Sequence, residues 1–332
     1  MLLSRINPSV VLPGLLVPQT QNVDFDAYIG QKTNLTDTAD EMLYIMTVNN
    51  INSETSVGQQ WGQELTNQSY SLGQTGLPLY RVSAYVEYDQ NEQAKFERLS
   101  NGVSLPAFLE NLAKQGINQR KHQGILYGFD NGLKQGITSN ATVVNMPADS
   151  NSKTKLTEYD PAELVDFLAS IARSVMDTTY GTAKPVVFAS SVRVINYIKT
   201  VIVPLLDSAN ANGVDSVSGL YNRVISEWLG VGKIQFIADE LLRENTTDGK
   251  DTIMMIAPGL DNQSGLPDDI NQNLVGEFNS ITYNTMYDAG IGLTKMNRPD
   301  DFGIYSSWYT YKMTPGATLR SEAVVTCAVQ YA

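Results

Sequence analysis

The sequence carries little with which to do covalent chemistry. Cysteine occurs once in 332 residues, at Cys327. One cysteine excludes an intrachain disulfide and a thiolate metal cluster built within one chain, and it fits synthesis inside a cell. Histidine also occurs once, at His122, so a Ser-His-Asp mechanism would have to use it, and no nucleophile-elbow pattern supports that. Positive charge is scarce: 23 Lys and Arg stand against 35 Asp and Glu, a formal charge of -12. The chain as a whole therefore has no electrostatic footprint for gripping nucleic-acid phosphates. No apolar run reaches the roughly 18 residues of a spanning helix. The start, Met1 to Arg5 followed by Pro8 and Pro13, does not read as a signal peptide. Without secretion, the glycosylation-type triplets at Asn34, Asn67, Asn140, Asn245 and Asn262 carry no weight.

What is present is enough apolar material for one large or two ordinary domains. The first 40 residues hold no sustained period and read as an extended arm. Residues 42–51 and 80–88 are rich in strand formers and bracket a polar excursion containing Gly58, Gly62, Gly73 and Gly76. Those glycines are expected to break any regular element. The apolar anchors in this excursion are Trp61, Tyr70 and Leu72. One reading is a mobile surface loop. The other is a flexible hairpin whose Trp61 and Tyr70 dock on a neighbouring subunit, because large aromatic side chains are costly to leave in water.

A long helix is predicted from Ser104, as N-cap, to about Tyr127, with Pro106 in its first turn. Leu105, Phe108, Leu109, Leu112, Ala113 and Ile117 fall on one expected buried face. Gly128 and Asp130-Asn131-Gly132 stop it, and a turn-rich stretch runs to about residue 157. Asp160-Pro161-Ala162-Glu163 announces a second helix, with Asp160 as N-cap and Glu163 placed for a capping box. Its buried stripe is Leu164, Leu168, Ile171 and Val175, and Gly181 is its stop. A buried strand over 185–189 follows, then helices near 191–208 and 218–229. Strands are expected at 233–239 and 251–257, joined through Asp248-Gly249-Lys250, and again near 303–313 and 319–331.

No reactive constellation emerges. Gly230-Val231-Gly232-Lys233 has Glu227 where a phosphate loop needs its first glycine and Ile234 where it needs a hydroxyl. The acidic stretch Asp261 to Asp269 lacks calcium-loop spacing. A lone helical histidine is usually a surface or packing residue, and a free cysteine in a strand is usually a small buried hydrophobe. No catalytic, cofactor-binding or metal-ligating residue is assigned.

The entry Ser104-Leu105-Pro106 and the exit Gly124-Ile125-Leu126-Tyr127-Gly128-Phe129-Asp130-Asn131-Gly132-Leu133-Lys134-Gln135-Gly136-Ile137-Thr138-Ser139-Asn140 resemble the spine helix of the Hong Kong 97-like major capsid proteins of tailed bacteriophages. Trp228-Leu229-Gly230 ahead of Lys233-Ile234-Gln235-Phe236-Ile237 is similar to the family's lead into a strand of its axial domain. The resemblance covers about residues 30 to 330. It implies an α+β fold with an N-terminal arm over 1–41 and a strand-bracketed extended loop over 42–90. A peripheral domain over 91–157 and 276–332, and an axial domain over 158–275, complete it.

As for function, the resemblance implies a subunit that self-assembles through hexamers and pentamers into an icosahedral virion shell. Such a shell encloses DNA without sequence-specific binding and touches no membrane. Scaffold, portal or decoration proteins are possible partners, and synthesis would be in the bacterial host cytoplasm. Trp61, Tyr70 and Leu72 would then be subunit-interface residues. Some family members crosslink the extended loop through a lysine, whereas this chain has none between Lys32 and Lys95, so cohesion should be non-covalent. An acidic subunit also suits a container whose wall should not adhere to its DNA. The alternatives are an encapsulin-type nanocompartment shell, another virion component such as a tail or decoration protein, and an intracellular enzyme.

Overall fold

The computed structural model describes residues 33–36, 41–52, 69–100, 103–129, 136–178, 187–204, 214–216, 234–246, 248–257, 281–282, 284–286, 292–296, 303–318 and 321–332. Strand β1 (Thr33–Thr36) precedes β2 (Met42–Asn52), β3 (Ser69–Pro78) and β4 (Tyr80–Asp89). A helix over Gln90–Leu99 leads to the long helix, Leu105–Tyr127. Then come β5 (Thr142–Asn145), the helix Pro161–Thr178, β6 (Val187–Ser190) and the helix Val192–Thr200. Short strands β7 (Ile202–Pro204) and β8 (Val214–Ser216) pair with each other ahead of β9 (Gln235–Ala238) and β10 (Asp251–Ile256). The chain continues through β11 (Ile281–Thr282), β12 (Asn284–Met286), β13 (Gly292–Met296), β14 (Ile304–Met313), β15 (Ala317–Thr318) and β16 (Val324–Val329).

Two five-stranded sheets organise the described residues. In the first, β14 pairs antiparallel with β4 along ten residues and on its other edge with β13 and β12, and β12 carries β1 in parallel. The second runs β5-β16-β10-β6-β9, with parallel pairs at β5-β16 and β6-β9 and antiparallel pairs between. β10 is buried along its whole length, as the continuous apolar run of a strand covered on both faces requires.

One core lies between the second sheet and the helices Pro161–Thr178 and Val192–Thr200. Leu164, Leu168, Ile171 and Val175, the expected stripe, are all fully buried there. Each such side chain contributes about 1.5–3 kcal/mol when withdrawn from water. A second core fills the space between the long helix, the first sheet and the opposite face of the second sheet, bringing together Ile117, Ile125, Leu126, Tyr311, Met254 and Val324. A smaller cluster of Tyr88, Phe96 and Leu105, with Phe108 and Leu109 against it, pins the start of the long helix to β4 and the helix before it.

The long helix has the expected bounds. The Ser104 hydroxyl accepts from Ala107 N at 3.4 Å, and Gly128, at φ 80°, ends the helix with its N–H on Gly124 O. Leu112 departs from the expected buried face at 37% exposure, because the first sheet covers only one side of the helix there.

Within the span expected as an arm, Thr33–Thr36 is a strand on the first sheet. Three further expectations need correction. Gly73 and Gly76 do not interrupt β3, since pairing with β2 satisfies its backbone and Tyr44, opposite Gly76, folds its ring over the missing side chain. The helix expected over 191–208 stops at Thr200, where Val201-Ile202-Val203-Pro204 brings β-branching and then a proline that cannot continue a helix. β9 and β10 form no hairpin: β6 lies between them, and the Asp248-Gly249-Lys250 turn closes a loop back on Thr246 instead. β5 and β16 thus share the second sheet with β6, β9 and β10.

Candidate functional site

His122, the only histidine, is an interior residue of the long helix. It is 7% exposed, and its Nε2 lies 2.6 Å from Oδ2 of Asp239, which is fully buried. The other carboxylate oxygen of Asp239 accepts from Leu241 N and caps the short turn Glu240–Leu242. One turn along the helix, the Tyr127 hydroxyl donates to Leu241 O at 2.6 Å and accepts from Asn245 Nδ2 at 2.9 Å. Thr252 Oγ1 in turn donates to Asn245 Oδ1. Burial raises the Tyr127 pKa, opposed by the Asn245 hydrogen bond and reinforced by the Asp239 charge, so the hydroxyl stays protonated. These contacts form a polar seam that fixes the long helix on the second sheet.

A second buried network lies on the other side of that sheet. Fully buried Asp251 takes a two-pronged contact from Arg193, Nε at 2.7 Å and Nη2 at 2.5 Å, with further donors in Ser191 Oγ and Glu244 N. Burial pushes the Asp251 pKa up, but the hydrogen bonds from Arg193, Ser191 and Glu244 together with the Arg193 charge outweigh it, so the carboxyl titrates below its usual range. Arg193 also bonds Glu244 and lies 5.0 Å from the centre of the Tyr331 ring, tying the last strand's exit to this helix.

The expected capping box at Asp160 is rearranged. Asp160 caps its helix by accepting from Ala162 N and Glu163 N. Its own N–H goes to buried Asp149, while Glu163 accepts from Ser150 N. Cys327 is buried, and burial pushes its thiol up to about 12, which keeps it neutral and unreactive. Among the described residues, no group of three His, Cys, Asp or Glu side chains could hold a metal ion. Also among them, no helix is long and apolar enough to cross a membrane.

In the segment that carries the family resemblance, the described residues 124–129 and 136–140 form a tight corner. After the long helix, Ile137 N and Thr138 N return to the carbonyls of Ile125 and Leu126, and Gly136 N donates to Gly316 O. Gly316 N comes back to Gly124 O, and Thr318 Oγ1 donates to Ile137 O. A Cβ at Gly316 would collide with the Ile125 carbonyl, one at Gly124 with the Phe129 ring, and Gly136 holds φ +90°. The glycines permit three backbone segments to meet without side chains between them.

Of the residues proposed for subunit contact, Trp61 lies outside the described residues. Tyr70 and Leu72 sit in β3, in register with Ile51 and Val48 of β2. The structure adds a surface that sequence reading passed over. Tyr85 of β4 and Trp308 of β14 are register partners on the solvent side of the first sheet, 53% and 47% exposed, with rings edge to face at 5.7 Å. The signal was the alternation of β4, which places Arg81, Ser83, Tyr85 and Glu87 on one face and Val82 and Tyr88 on the other.

No family model matches the sequence, and no curated protein matches it either. Solved structures do match. A chain from the capsid of Myoviridae phage XM1 aligns at TM-score 0.68 and 12% identity, covering 96% of each chain. One from Mycobacterium phage Che8 aligns at 0.58 and 15%, covering 96% of this chain and 95% of that one. Another, from the capsid of a native GTA particle, aligns at 0.53 and 10%, covering 97% and 96%. The chain therefore shares the fold of these capsid chains. More narrowly, that fold is the Hong Kong 97-like fold of tailed-phage major capsid proteins, α+β in class and spanning nearly the whole chain.

Proposed function

We propose that this chain is the major capsid protein of a tailed bacteriophage, a structural subunit that assembles through hexamers and pentamers into the icosahedral head shell and resides in the virion. The observation that carries this reading is the reciprocal coverage: 96% of this chain aligns with 96% of a phage capsid chain at TM-score 0.68. The interior of the subunit supports it. Its buried polar groups, His122 with Asp239 and Arg193 with Asp251, tie structural elements together.

Within this reading, the peripheral part is the long helix with the first sheet. The axial part is the 158–275 segment, completed by β5 and β16 across the second sheet. The β2–β3 pair, with its Tyr70 and Leu72, is the element that reaches a neighbouring subunit, together with Trp61. Cohesion is non-covalent, because no lysine stands between Lys32 and Lys95. Sedimentation and light scattering of the purified protein test the proposal. Capsomers or closed particles are expected, and a strictly monomeric species at high concentration would contradict it.

A further inference from the structure

We draw no further inference here: the strongest candidate, the exposed Tyr85–Trp308 pair on the solvent face of the first sheet, carries nothing because nothing in the structure shows what covers it.

Discussion

Gly116 and Gly316 should respond to alanine with opposite sign. Gly116 lies exposed in the middle of the long helix, and a Cβ there meets nothing within 4 Å. Gly116→Ala should therefore stabilise the subunit by about 0.5–1 kcal/mol, through helix propensity and lost unfolded-state entropy. At Gly316 the added carbon would strike the Ile125 carbonyl and force the helix corner open. Gly316→Ala should cost about 2–3 kcal/mol, as overpacking against rigid backbone does. Urea midpoints of the two variants check both signs. Asp251 gives a pH signature at the same scale. Because its pKa is lowered in the folded state, its contribution is present above the unfolded carboxylate value of about 4 and is lost as pH falls through the folded one. Stability should thus begin to fall below about pH 5 and go on falling through the folded value. Asp251→Asn should be less stable at pH 7 and show a smaller drop over that window, whereas an unchanged acid limb would contradict the role given to the Arg193 pair.

Among the elements, legibility followed how local the determining physics is. The long helix was readable to the residue because Ser104, Pro106 and Gly128 act within one turn of its ends. The helix over Gln90–Leu99 was equally readable and was passed over: Asp89 and Glu92 form a reciprocal capping box, with Glu92 N on Asp89 Oδ1 at 2.6 Å. What sequence could not give was pairing at a distance. Nothing near Val187 or Asp251 announces that β6 separates β9 from β10, nor that β16 inserts between β5 and β10. His122 illustrates the same limit, because its burial depends on Asp239, 117 residues away. The β2–β3 hairpin is the element whose role is most testable. Replacing residues 56–76 with a short turn should leave the two cores folded, by circular dichroism and thermal melting, while preventing particle assembly. Trp61→Ala should weaken subunit contacts more than subunit stability. Normal particles from the deletion would remove the hairpin from the interface.

For the whole molecule, the two cores share one sheet. The long helix is fastened to that sheet by the His122–Asp239 and Tyr127–Leu241 contacts and by the glycine corner. Among the described residues this subunit presents an exposed aromatic pair on the first sheet and the antiparallel β2–β3 pair. On the proposed reading, these are the surfaces that meet copies of the same chain. The most direct measurement is a cryo-electron microscopy reconstruction of particles formed by this chain. Closed icosahedral shells are expected, with this subunit in hexameric and pentameric rings and the β2–β3 hairpin lying over an adjacent copy. Density showing a tail tube, or a protein that stays monomeric on the grid and in solution, would contradict the account.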